Sequence, residues 1–369
     1  MTRIDRLLAF YGGTRVVITG HTGFKGAWLS LALAEFGAEV TGLALAPDPG
    51  GIYELGAIDR RVRSYEVDIR DGDEVGTILR EAAPEVVFHL AAQSLVPLSF
   101  RDPVETFDVN VVGTASVLAA CDTCPTARSV VVATSDKVYE NLDEHRPFVE
   151  GDRLGAGDPY STSKAAAELV VESWRHSFRR HGAVHPRLVT ARAGNVIGGG
   201  DRAPDRVVPD VIDALVKGHP AELRNPGSVR PWQHVLEPVL GYLEYAALAA
   251  AEDDGSREVP LALNFGPDPT CATKVSDLVE AVIRGWGGGA WVPTSERPGP
   301  EADVLLLDSS AATSSLGWHP ALDMEAIIRL TVDWYRCAAD QQLCEDLSLQ
   351  QLHEYLAIAD TTLDRRAPG

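Results

Sequence analysis

Lysine is scarce in this chain. Of the 33 basic residues among 369, only Lys25, Lys137, Lys164, Lys217 and Lys274 are lysines. Acidic residues number 53, so the formal net charge is -20. A surface of that sign repels nucleic acid and acidic lipid, which excludes broad electrostatic binders and leaves room only for a local basic pocket. Cysteine is also sparse. Five in a chain this long exclude a disulfide scaffold and point to a reducing, cytoplasmic setting. Cys121 and Cys124 have Cys-x-x-Cys spacing, but no second Cys or His pair follows nearby. No metal is expected, and the pair reads as structural. Long apolar runs are missing too: no eighteen consecutive apolar residues occur, and the first eleven residues lack a signal-peptide core. Neither a membrane partner nor export is expected. What remains, 45% hydrophobic and 23% charged, is the composition of a folded protein large enough for two or three units.

Strand-like and helix-like segments alternate through the first half. Arg15–Thr19, Glu39–Leu45, Glu85–Leu90 and Ser129–Thr134 read as strands. Ala27–Phe36, Gly72–Ala83, Val104–Ala120 and Ser161–Phe178 read as helices between or after them. That order predicts an α/β fold with a doubly wound, mostly parallel Rossmann sheet over residues 12–190. The pattern loosens over 191–345, where helices at Val207–Lys217, Glu237–Ala251, Lys274–Trp286 and Leu322–Cys337 and a strand at Leu261–Phe265 predict a smaller mixed lobe interleaved with the first. Residues 346–369 read as an acidic tail, helical to Ile358 at most.

The first strand runs into Gly20-His21-Thr22-Gly23-Phe24-Lys25-Gly26. Gly20 permits a tight turn, Gly23 lets a pyrophosphate approach the backbone, and Gly26 permits close packing of helix on sheet. The amides at the helix start then meet the negative charge, which makes Thr22, Phe24 and Lys25 cofactor neighbours as well. Gly-x-x-Gly-x-x-Gly is the spacing that resembles extended short-chain dehydrogenases. The second strand ends in Ala44-Leu45-Ala46-Pro47-Asp48, with no basic cluster for a 2′-phosphate, so NAD is expected rather than NADP.

Tyr160 and Lys164 lie four apart and hence on one helical face. A phenol near its ordinary pKa of about 10 is a poor base at neutral pH, and an adjacent ammonium favours the phenolate. The pair suits oxidation of a hydroxyl. Ser135, Asp136 and Lys137 follow another strand, at the sheet edge where ligands bind. Ser135 is placed to bond the hydroxyl being oxidised. A dehydrogenase that only moved hydride has no evident need for the charged pair Asp136–Lys137.

These segments, with Phe88-His89-Leu90-Ala91-Ala92-Gln93, Ala193-Gly194-Asn195 through Asp201, and Arg230-Pro231-Trp232-Gln233-His234, resemble the CDP-glucose 4,6-dehydratases of the extended short-chain dehydrogenase/reductase family over about 12–335. The resemblance implies an NAD-dependent hydro-lyase that makes a 4-keto-6-deoxy sugar nucleotide. It assigns Tyr160 as base at the 4-hydroxyl, Asp136 as acid at the 6-hydroxyl and Lys137 as base at C5 or stabiliser of the enolate. It places Asp68 and Ile69 at the adenine, Leu90, Ala91 and Ala92 along the cofactor, and Asn110 near Lys164. It also implies a homodimer through the two long helices, 104–120 and 161–178. The chain departs from the pattern at Val138, where the family has Cys, and at Phe148-Val149-Glu150, where it has Tyr-Arg-Glu.

Gln93 follows Ala91-Ala92 at a strand end and is expected beside the nicotinamide. The substrate diphosphate calls for arginines, because planar guanidinium binds phosphate in two-pronged fashion. Arg192, Arg202, Arg206, Arg230 and Arg297 are the candidates, with Arg230 foremost; the family pattern adds Asn195, and His234 is expected at the base. Two other readings compete. A sugar-nucleotide 4-epimerase or decarboxylase uses Tyr160 and Lys164 but not the pair at 136 and 137. A non-catalytic sugar-nucleotide-binding protein needs neither.

Overall fold

A computed structural model describes residues 2–141, 146–155, 157–178, 185–251, 258–267, 272–294, 305–339 and 344–364. Seven parallel strands form its centre: β1 (Arg15–Thr19), β2 (Glu39–Ala44), β3 (Arg63–Glu66), β4 (Val86–His89), β5 (Ser129–Ala133), β6 (Arg187–Ala193) and β7 (Ala262–Phe265). Their spatial order is β7-β6-β5-β4-β1-β2-β3. Helices on both faces bury the central strands completely, which is why Val16-Val17-Ile18 and Val130-Val131-Val132 read as unbroken apolar runs. The strand order reverses between β1 and β4, so a crevice opens there at the carboxyl ends.

Helix starts follow local chemistry. The helix Gly72–Ala82 is capped by Asp71, whose carboxylate accepts the Glu74 amide at 3.0 Å. Pro103–Asp122 begins after Asp102, which accepts the Glu105 amide at 3.0 Å, with Pro103 in the first turn. That long helix widens to π geometry over Asp108–Val112, centred on the buried Asn110. Its length and mean hydropathy of 1.2 would suffice for a membrane span, contrary to the expectation from apolar runs alone. In the fold it packs instead on Gly72–Ala82 and Pro159–Phe178.

The second half is tied into the first. β7 extends the sheet beside β6, and Leu236–Ala250 packs on β5 and β6. The N-terminal residues expected only to lack an export signal form a helix, Arg3–Tyr11, whose Leu7 and Tyr11 are buried. The acidic tail is no loose tail over its described part. Glu345–Asp364 is one helix that buries Leu352, Tyr355 and Ala359 in the main core, because its apolar residues recur at helical spacing among the acids. Cys121 and Cys124 are buried, free thiols beside the sheet.

Candidate active site

A cavity of about 920 Å³ occupies the crevice. At one end β1 turns through Gly20 (φ 79°) into the helix Phe24–Glu35. A Cβ on Gly26 would lie 2.0 Å from the Gly20 carbonyl oxygen, so only glycine lets the helix start this close to the turn. The helix has no side-chain cap at Gly23, and its first turn opens onto the cavity with Thr22, Phe24 and Lys25. Uncapped amides beside a glycine turn fit a pyrophosphate. Asp68, Ile69, Leu90, Ala91 and Ala92 line the same cavity. Arg70 grips Asp68 at 2.6 Å and holds its carboxyl below the ordinary carboxylate range. The residues present therefore fit a dinucleotide lying from Asp68 to Tyr160.

Lys25 reaches further than the sequence suggests. Its ammonium donates to the Tyr242 hydroxyl at 3.2 Å. Burial, then the positive charges of Arg206 and Lys164, bring its pKa down to about 8, with Asp136 opposing. Lys25 thus belongs to the reacting end of the cavity as well as to the turn.

Ser135, Asp136, Lys137, Tyr160 and Lys164 converge at that end. β5 delivers the first three on a 3₁₀ turn, Asp136–Val138, and the helix Pro159–Phe178 delivers the other two one turn apart. Ser135 donates to Asp136 Oδ1 at 3.0 Å, while Asp136 Oδ2 is buried without a partner. Burial raises the pKa of Asp136 against the pull of Lys137, the Ser135 hydrogen bond, Arg230 and Lys25. Tyr160 is pushed up to about 12 by burial, with its hydrogen bond to Ser135 opposing. Lys164 donates to the Ala133 carbonyl at 3.2 Å, and burial lowers its pKa to about 8 against the charge of Glu168. A carboxyl whose burial favours its protonated form, beside a phenol and ammonium pair, is a set of groups suited to acid and base steps on one substrate.

Of the expected substrate contacts, Asn195, Arg206 and Arg230 line the cavity. Arg206 bridges its mouth from Asp201 (2.8 Å) to Ser94 (3.0 Å). His234 does not reach it. The imidazole is 0% exposed beneath Gly198, edge-on to Trp28 at 6.2 Å, and burial lowers its pKa to about 3. Gln93 is also turned away, because its amide bonds Leu95 and the Thr106 hydroxyl. Asn110 holds the Gln93 backbone and the Ser163 hydroxyl rather than the cavity. Arg192 is buried against Glu168, and Arg202 donates to the Gly50 carbonyl. Arg297 lies outside the described residues. The sequence reading missed Glu222, Arg224 and Asn225, which also line the cavity from the strand Ala221–Leu223, too short to carry a periodic signal, and the residues just after it.

Residues 16–258 match the NAD dependent epimerase/dehydratase family. The chain is 40% identical to a CDP-glucose 4,6-dehydratase of Salmonella typhimurium, over 94% of this chain and 98% of the relative. It is 31% identical to a dTDP-glucose 4,6-dehydratase of Streptomyces griseus, over 87% and 94%. A dTDP-glucose 4,6-dehydratase structure from Streptomyces venezuelae with NAD bound shares the fold, with a TM-score of 0.76, 23% identity, and 90% and 100% covered.

Proposed function

The chain belongs to the NAD dependent epimerase/dehydratase family, and on that premise we propose that it is an NAD-dependent sugar-nucleotide 4,6-dehydratase whose substrate is CDP-glucose. The observation that carries the reading is the buried, partnerless Asp136 oxygen in one cavity with Tyr160 and Lys164. An epimerase has no use for a buried carboxyl poised as an acid beside its base.

Each group then has a step. Tyr160 takes the proton of the 4-hydroxyl, and Ser135 and Lys164 hold the phenol in place. Gly20, Gly23 and Gly26 would hold NAD, which would supply a reversible hydride acceptor, so that the hydride lost at C4 could be regained at C6 with no net redox change. The 4-ketone makes the C5 proton acidic. Lys137 stands at C5, as base or as stabiliser of the enolate, while the C5 proton is lost and Asp136 protonates the departing 6-hydroxyl, which leaves as water. A proton returned to C5 completes the 4-keto-6-deoxy product. Arg206, Arg230 and Asn195 hold the nucleotide diphosphate.

The expected isotope flow separates this reaction from its competitors. CDP-glucose deuterated at C4 yields product with the deuterium in the C6 methyl group and a solvent hydrogen at C5. An epimerase returns the label to C4 and keeps the 6-oxygen, and a binding protein gives no product. The assay reads product mass, run beside the dTDP-, GDP- and UDP-hexoses, because no net redox change is available to absorbance. Retention of the 6-hydroxyl on every hexose nucleotide sinks the assignment.

We also propose a cytoplasmic homodimer. Leu98, Phe100, Val104 and Val112 are exposed on or before one long helix, and Leu169 is exposed on its neighbour. Large apolar side chains exposed on neighbouring helices are costly in water, and burial against a second copy relieves that cost. Val104 is 78% and Leu169 61% exposed, so Val104→Asp with Leu169→Asp leaves the fold intact. Sedimentation is expected to change from a dimer to a 39.6 kDa monomer; a monomeric parent protein at micromolar concentration defeats the proposal.

A further inference from the structure

Behind the Asp136–Val138 turn lies a second buried polar cluster to which the steps above give no role. Glu168 follows Lys164 by one helical turn and is 4% exposed. Its carboxylate accepts the Thr134 hydroxyl at 2.6 Å, the Thr190 hydroxyl at 2.8 Å and two Arg192 nitrogens at 2.9 Å each. Arg192, also 4% exposed, donates its remaining nitrogen to the Tyr139 hydroxyl at 2.9 Å and the Glu150 carbonyl at 3.0 Å. Tyr139 donates to Asn264 Oδ1 at 2.7 Å, and its ring stacks on Phe148 at 4.9 Å. Asn264 closes the chain by donating to the Phe148 and Asp308 carbonyls at 3.0 and 3.1 Å.

Glu168, Arg192, Tyr139 and Asn264 stand outside the cavity lining. A buried ion pair is no efficient source of stability, since well-packed apolar residues of the same volume serve as well or better. Its placement shows a different use. Thr134 stands immediately before Ser135, and Tyr139 immediately follows the turn that carries Asp136 and Lys137. One ion pair therefore clamps the turn on both sides. It also fixes that turn against the helix that holds Tyr160 and Lys164.

We propose that Glu168, Arg192 and Tyr139 are positioning residues for the elimination step. They set the height of Asp136 and Lys137 over the sugar. The inference rests on the dehydratase reading. Tyr160 and Lys164 sit on their own helix, so loosening the far anchor at Tyr139 displaces the elimination groups and spares the oxidation groups. A general acid misplaced by a fraction of its hydrogen-bond length loses much of its effect.

Tyr139→Phe tests this, because it deletes one hydroxyl and keeps the ring on Phe148. The expected variant is folded, with NAD affinity, KM and the rate of C4 oxidation within about twofold of the parent. Loss of the 6-hydroxyl slows about tenfold, read as reduced nicotinamide that accumulates in a single turnover. Arg192→Lys keeps the charge beside Glu168 but cannot span to Tyr139, and it is expected to show the same selective loss. Equal slowing of both steps, or of neither, overturns the proposal. So does failure of Tyr139→Phe to fold, which would make the network a stability device. The parent protein's transfer of C4 deuterium to C6 tests the dehydratase reading separately.

Discussion

Asp136→Asn is expected to halt the reaction midway: C4 oxidation proceeds, loss of the 6-hydroxyl slows by about 10²-fold or more, and reduced nicotinamide builds up on the enzyme. The substitution is nearly isosteric. The amide oxygen still accepts from Ser135, as Oδ1 does at 3.0 Å, and the amide nitrogen replaces an oxygen that has no partner to lose. What disappears is the acidic proton. Burial raises the pKa of this carboxyl, so the native state holds the proton more tightly than the unfolded chain does. The sign follows. Any stability linked to that proton is present below the ordinary carboxylate pKa and fades as pH rises through the raised one. At neutral pH the Asn variant is therefore expected to melt no lower than the parent. In the parent, elimination slows as pH climbs through the same raised pKa; in the variant that limb vanishes. Single-turnover absorbance with CDP-glucose, beside a melting curve, checks both. A variant that still dehydrates at the parent rate removes Asp136 from the mechanism.

Much of the fold was legible because its signals are local. Strands such as Val130-Val131-Val132 and helices such as Val275–Trp286 declare themselves by runs and periodicity, and the glycine turn lies between a strand and a helix as a dinucleotide site needs. Tyr160 and Lys164 are fixed by helical spacing alone. The rest depends on partners distant in sequence. Arg192 looked like a free guanidinium for phosphate, yet its carboxylate partner stands 24 residues earlier on a neighbouring helix. His234 sat in a segment rich in pocket-like residues, and only the packing of Trp28 and Gly198 shows that it faces the core. Gln93 follows a strand end at the right place, but its amide satisfies its own loop. The small pairings Val196–Ile197 with Gln233–His234 and Val229–Arg230 with Thr273–Lys274 are two residues long, below any periodicity a sequence can display.

Tyr160→Phe should strike the earlier step. In the proposed mechanism the phenol takes the 4-hydroxyl proton, and general-base catalysis of this kind is worth about 10² to 10⁴ in rate. Its loss is expected to lower C4 oxidation by that range, with no accumulation of reduced nicotinamide because the intact later steps consume it faster than it forms. NAD affinity, measured by calorimetry, stays near that of the parent, because the glycine turn is untouched and Phe fills the same volume. The pH dependence distinguishes a lost base from a disturbed pocket. Burial holds the Tyr160 pKa at about 12, so at neutral pH the phenol keeps its proton until positive charge beside it favours the phenolate. Lys164 supplies part of that charge, but burial lowers its pKa to about 8, and above that pH the ammonium becomes a neutral amine. C4 oxidation in the parent is thus expected to rise with pH as the phenolate forms, then level as Lys164 loses its charge. In Tyr160→Phe the residual rate has no phenol to titrate, and its rising limb should disappear. A variant that retains both the parent's oxidation rate and its rising limb would mean that another group takes the proton.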